Sequence, residues 1–122
     1  MILVVDDNED SLRIISRILQ KSGFEVVVER NGKDGLARAR ETLPEVVILD
    51  IMMPEMTGME VLEQLRASPP TSRVPVIVLS AKAQDQDLIT GYQTGADYYV
   101  TKPFTASQLL YGVKLVLGKA SS

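Results

Sequence analysis

The side chains best suited to chemistry in this 122-residue sequence are an acidic pair, Asp6-Asp7, a lone acid, Asp50, a hydroxyl, Ser80, and a lysine, Lys102. Each follows or closes an apolar run. Three carboxylates within a few ångströms would repel one another and raise their pKa values. A divalent cation relieves that repulsion, and oxygen-only ligands at a partly open site suit magnesium, Mg2+. Such a set could handle a phosphoryl group. An ionised Asp50 would be the nucleophile and form an acyl phosphate. Lys102 would pair with Asp50 before transfer and with a phosphate oxygen afterwards, while Ser80 donates to another oxygen.

The elements that must position these groups can be read from hydropathy. Strands are expected at residues 2–5, 24–29, 46–51, 76–79 and 97–101. Helices are expected from Glu9 to about Lys21, after Gly32 to about Thr42, after the Met52–Gly58 loop to about Ala67, from Gln84 to about Thr94 and from Thr105 to about Leu117. In the first helix Leu12, Ile15 and Leu19 share a face, with Ile14 and Ile18 beside it, and Ser22-Gly23 stops it. Leu36, Ala37 and Ala39 are the expected inward residues of the second; Met59, Leu62 and Leu65 or Arg66 recur on the third. The fourth has only Leu88, Ile89 and Tyr92 as anchors. Thr105-x-x-Gln108 opens the fifth as a capping box, with Leu109, Val113, Val116 and Leu117 on a related face. Pro69-Pro70 marks a loop.

Five strands alternating with five helices imply an α/β fold, a flavodoxin-like doubly wound five-stranded parallel sheet with strand order 2-1-3-4-5. The continuous apolar runs suit strands buried on both faces. Ligand sites in such sheets lie beyond the carboxyl ends of the strands, at the switch in strand order. That rim is where Asp6, Asp7, Asp50, Ser80 and Lys102 converge. Taken singly, each has a plainer role. Asp6-Asp7-Asn8 could cap the first helix, Asp50 could be a partly exposed strand end, Ser80 a helix cap and Lys102 a surface lysine. Their coincidence on one rim is what those roles leave unexplained.

Composition narrows the function further. The chain has no cysteine and no histidine, which removes thiolate chemistry and the commonest general base. A net charge of −3 argues against direct nucleic-acid binding. No apolar run approaches a membrane span, and no signal-peptide pattern opens the chain, so a cytoplasmic location and no membrane partner are expected. Residues 1–118 are expected to form one domain and 119–122 a tail, with fraying from Gly118 onward.

The sequence closely resembles the receiver domain of two-component response regulators, of the chemotaxis-regulator-like kind. The matching segments are Val4-Val5-Asp6-Asp7-Asn8, Leu49-Asp50-Ile51-Met52-Met53-Pro54-Glu55-Met56-Thr57-Gly58, Leu79-Ser80-Ala81, and Gly95-Ala96-Asp97-Tyr98-Tyr99-Val100-Thr101-Lys102-Pro103-Phe104. The resemblance implies a phosphorelay role in which Asp50 accepts a phosphoryl group from a phosphohistidine of a sensor histidine kinase or histidine phosphotransfer protein. It implies Mg2+ bound by Asp7, Asp50 and the backbone carbonyl of Met52, with Asp6 supporting through water. It implies Lys102 and Ser80 on the phosphoryl oxygens, and a cis peptide between Lys102 and Pro103. The domain would catalyse its own phosphotransfer and dephosphorylation rather than turn over a conventional substrate. Ser80 and Tyr99 would carry the switch, the aromatic ring turning inward to remodel the surface of the fourth helix, fifth strand and fifth helix for a downstream effector or output domain. Homodimerisation through that face is left open, as is a plain edge-packing role for Tyr99.

Ser80 stands where threonine is often found, and Met52 and Lys82 flank the site at positions that vary, which leaves the phosphoryl lifetime open. The chain reads equally as a stand-alone receiver or as a domain of a larger regulator. Three other functions compete. A degenerate receiver would act as a phosphorylation-independent interaction module, which the intact set of five groups opposes. A flavodoxin-type cofactor binder would need a Ser/Thr/Gly-rich cradle where this chain has Asp-Asp-Asn-Glu. An aspartyl-phosphate hydrolase would need a roomier substrate pocket than these short loops provide.

Overall fold

The computed structural model describes residues 1–80 and 95–121. Five parallel strands, β1 (Ile2–Val5), β2 (Val26–Glu29), β3 (Val46–Asp50), β4 (Val76–Ser80) and β5 (Tyr98–Thr101), form one sheet in the order β2-β1-β3-β4-β5. Four α-helices accompany them among the described residues: α1 (Glu9–Lys21), α2 (Gly32–Thr42), α3 (Gly58–Ala67) and α4 (Ala106–Ser121). The helix expected over 84–94, with its anchors Leu88, Ile89 and Tyr92, lies outside the described residues.

All residues of β1, β3 and β4 are buried, so both sheet faces must be covered. Alternation along the strands sorts the core into two clusters. Ile2, Val4, Ile48, Ile77 and Leu79 meet Leu12, Ile15 and Leu19 of α1 and Leu109, Val113 and Val116 of α4. Leu3, Val5, Val47, Leu49 and Val78 meet Leu36 and Ala39 of α2 and Val61, Leu62 and Leu65 of α3.

Several local expectations shift. Ile14 is 55% exposed and outside the α1 core face. Ala37 also points outward, and Gly35 takes the buried position because it lies directly against Val5, where a Cβ would clash. Val61 joins the α3 core face. Residues 69–71 form a short 3-10 turn rather than plain loop. Helical geometry continues past Gly118 to Ser121, where fraying was expected; Gly118 keeps a negative φ, and an interior glycine costs a helix only ~1 kcal/mol.

Local chemistry fixes the helix starts. Asn8 and Asn31 cap α1 and α2 by accepting from Ser11 and Asp34 backbone N–H groups, at 3.0 and 2.8 Å. Thr57 and Glu60 form a capping box on α3. Thr105 and Gln108 form the expected box ahead of α4, with backbone-to-side-chain bonds of 2.9 and 3.1 Å.

One side chain ties the amino-terminal ends of β4 and β5 to α3. The Arg66 guanidinium donates to the carbonyls of Val74 (2.7 Å), Ser72 (3.3 Å) and Gly95 (2.9 Å from Nη2) and to Asp97 Oδ2 (2.9 Å). That same Asp97 oxygen accepts from the Val76 N–H at 2.8 Å. Replacing Arg66 with Met keeps the aliphatic stem but removes the donor to three carbonyls and the cation beside Asp97, whose Oδ2 keeps its bond from the Val76 N–H. A loss of ~2 kcal/mol in urea-monitored unfolding is expected, most of it from the carbonyl bonds, since the Asp97 pair is partly solvated.

Candidate functional site

Strand ends deliver the acidic residues. β1 runs straight into Asp6, whose N–H donates to the Glu29 carbonyl at 3.2 Å, so the ladder with β2 holds this residue at the sheet's carboxyl rim. β3 ends on Asp50, paired in register with Leu79 of β4. Asp6 is 0% exposed, Asp50 5%, while Asp7 faces solvent. One carboxylate oxygen from each of Asp6, Asp7 and Asp50 lies within 4.8 Å of the others, a spacing that could hold a metal ion.

The loop after β3 turns back sharply at Gly58. Its N–H donates to the Ile51 carbonyl at 3.1 Å, and a Cβ there would run into the Asp50 carbonyl oxygen and Ile51 Cα. Only glycine admits that approach. Glu55 adopts a left-handed φ of 65° within the same loop. Met52 is 69% exposed, and its N–H reaches Asp50 Oδ1 at 3.5 Å.

β5 delivers Lys102. Its N–H donates to the Ser80 carbonyl at 2.6 Å, continuing the β4–β5 register in which Ser80 pairs with Thr101. The Lys102–Pro103 peptide is cis, as the resemblance implied. Lys102 Nζ lies 2.8 Å from Asp6 Oδ2 and 3.8 Å from Asp50 Oδ1. The expectation that Lys102 pairs first with Asp50 is thus refined, because the ammonium sits tighter on Asp6. The reason is burial: Asp6 has no exposed surface, and a buried carboxylate requires an opposite charge or several donors. Asp6 Oδ1 also accepts from the Asn8 N–H at 3.0 Å.

Ser80 is buried at the end of β4. Tyr99 is buried too, in the cluster with Val78 and Ala96, so the ring already occupies an inward position. Its neighbour Tyr98 points to the other face, over Gly112 and 6.2 Å from the ring of Tyr111. The plainer roles divide. Asn8 is indeed a cap, whereas Asp50 is not an exposed strand end and Lys102 is not an unengaged surface lysine. One contact had no signal in the sequence. Ser11 Oγ accepts from Lys102 Nζ at 3.5 Å, across 91 positions of chain.

Burial pushes the Asp50 carboxyl up to about 6, and the adjacent Asp6 pushes it the same way; Lys102 and the Met52 N–H oppose this without cancelling it. A carboxyl that holds its proton more tightly when folded loses stability as pH rises from its ordinary value near 4 through about 6. Asp50→Asn removes that penalty. In metal-free buffer the variant should be ~2 kcal/mol more stable than wild type at pH 8, with the difference vanishing near pH 4. Urea unfolding across that range checks this, and a difference that does not change with pH would contradict it.

Fold and rim together define a doubly wound α/β domain built around an acidic site at the carboxyl edge of its sheet. Comparison with known proteins gives that class its family. The model of the response regulator receiver domain matches residues 2–114. The transcriptional regulatory protein PrrA of Mycobacterium leprae is 43% identical over 116 residues, covering 95% of this chain and 49% of that protein. Protein PilH of Pseudomonas aeruginosa is 39% identical over 116 residues, covering 95% of this chain and 96% of that protein. Among solved structures, a putative response regulator from Chloroflexus aurantiacus superimposes with a TM-score of 0.92 at 30% identity, covering 96% of each chain. The chemotaxis protein CheY4 of Vibrio cholerae gives a TM-score of 0.89 at 30% identity, covering 94% of this chain and 96% of that one. The chain spans about half the length of the PrrA and PhoB relatives it matches. It belongs to the receiver domain family of two-component response regulators. No helix of the described residues is long and apolar enough to cross a membrane.

Proposed function

We propose that Asp50 is the phosphoacceptor of this receiver domain. The observation that carries this reading is the rim cluster itself: Asp6, Asp7 and Asp50 oxygens within 4.8 Å, with Lys102 Nζ 2.8 Å from one acid and 3.8 Å from another. All five groups named from the sequence are present on that rim, which supports the phosphorylated mode over a degenerate interaction module.

The donor set fits a hard divalent cation. Three carboxylates of one sign are drawn together, and burial beside Asp6 already disfavours the ionised form of Asp50. We assign Mg2+ to Asp7, Asp50 and the Met52 carbonyl, with Asp6 supporting through water. When bound, the cation supplies neutralisation of charge on the transferring phosphoryl group.

The chain's own residues account for the rest. An Asp50 carboxylate oxygen attacks the phosphorus of a phosphohistidine on a sensor kinase or phosphotransfer protein; the P–N bond breaks and an acyl phosphate forms. Lys102, hinged between Asp6 and Asp50, pairs with a phosphoryl oxygen, and Ser80 donates to another. Water attacking the phosphorus in line later breaks the bond to Asp50 and restores the carboxylate. Ser80 and Tyr99, on adjoining strands, transmit the change to the β5–α4 surface for an effector or output domain. Two new charge-assisted hydrogen bonds, at ~1.5–3 kcal/mol each, approach the ~5.5 kcal/mol that swings a 1:99 equilibrium to 99:1.

With magnesium and a small acyl-phosphate donor, the wild-type chain should gain one phosphoryl group by mass spectrometry and Asp50→Ala none. Lys102→Ala should still bind magnesium while phosphorylation no longer perturbs the β5–α4 surface by NMR. Equal labelling of Asp50→Ala would remove the acceptor assignment, and normal coupling in Lys102→Ala would remove the role of the lysine.

A further inference from the structure

The Lys102 ammonium carries three donors, and the acceptors around it are unevenly placed. Asp6 Oδ2 at 2.8 Å and Ser11 Oγ at 3.5 Å hold it in its present position. Asp50 Oδ1, where a phosphoryl group would attach, is 3.8 Å away. Ser11 and Lys102 are the polar members of a cavity of about 350 Å³ whose other described walls are Ile14, Pro103 and Phe104. Those apolar walls offer the ammonium no substitute acceptor side chain. Ser11 stands in the first turn of α1, and its N–H is already used by the Asn8 cap. The hydroxyl is therefore separable from helix capping, because the cap bond uses the main chain.

We propose that Ser11 is a positioning residue that holds Lys102 on the Asp6 side of the site and thereby opposes its swing toward a phosphoryl group on Asp50. This rests on the assignment of Lys102 and Asp50 above. On this proposal the hydroxyl accepts from the lysine in the resting arrangement and not in the phosphoryl-bound one, and so stabilises the first alone. Removing it shifts the balance toward the phosphoryl-bound arrangement by the strength of that one bond. The loss is about fivefold in an equilibrium constant, the equivalent of ~1 kcal/mol. Threonine keeps the hydroxyl on the same Cβ, so Ser11→Thr should behave as wild type.

Beryllofluoride, a phosphoryl mimic, can be titrated with magnesium into the full chain as wild type, Ser11→Ala, Ser11→Thr, Lys102→Gln and the Ser11→Ala/Lys102→Gln double variant. Ser11→Ala should bind it about fivefold more tightly, and Ser11→Thr as wild type does. The alanine effect should disappear in the Lys102→Gln background, because it acts through the lysine. In metal-free protein the NMR signal of the Lys102 ammonium should move in Ser11→Ala and stay in place in Ser11→Thr. Unchanged or weaker binding by Ser11→Ala overturns the inference, as does an effect that survives intact in Lys102→Gln. Failure of the wild type to bind beryllofluoride overturns the phosphoacceptor reading itself, and this inference with it.

Discussion

A carboxylate buried out of bulk solvent beside two other acids is costly unless an opposite charge sits on it. Asp6 is in that position, and Lys102, delivered from the far side of the sheet, is the cation 2.8 Å away. The pair joins the ends of β1 and β5, which are separated by β3 and β4 in the sheet order. It fixes where the ammonium stands relative to Asp50. It leaves Asp7 as the exposed acid of the three, turned toward solvent. Asp50 then receives a second-hand share of the positive charge, too small to offset its burial, and its carboxyl is pushed up to about 6.

The backbone around Asp50 is correspondingly unforgiving. β3 is buried along its length, and the Ile51 N–H bonds to the Leu79 carbonyl at 3.0 Å just past the acid. Gly58 presses against the Asp50 carbonyl from the other side. The main chain is pinned while the side chain faces the rim, so chemistry at Asp50 can be felt by neighbouring side chains without displacing the strand that carries it.

Most of this fold was legible in the sequence because parallel strands covered on both faces leave a plain mark. Runs such as Val46-Val47-Ile48-Leu49 have few other uses, and strict alternation with amphipathic helices fixes a doubly wound sheet. The gathering of Asp6, Asp7, Asp50 and Lys102 on one rim is legible from one rule about strand ends. What was not legible depended on glycine positions or on contacts between distant segments. Ala37 lies outside the inward face because Gly32, Gly35, Leu36 and Ala39 hold the i, i+3, i+4, i+7 positions, and glycines carry no hydropathy that marks them as inward. Ile14 has the same chemistry as Ile15 but falls on the outer side of α1. Lys102 lies on the rim, and its nearer partner is set by which acid is more deeply buried. Ser11 reads locally as an ordinary first-turn serine until the lysine arrives 91 positions later.

The clamp made by Arg66 has a mechanical meaning. It gathers the entries to β4 and β5 at one end of the sheet, while Ser80 and Lys102 stand at the other end of those same two strands. Strands anchored by a guanidinium at their origins behave as cantilevers: they cannot slide to relieve a load applied at the tip. A load arriving at Ser80 or Lys102 meets strands held at their origins, so it is taken up by bending or by side-chain rotation nearer the tip.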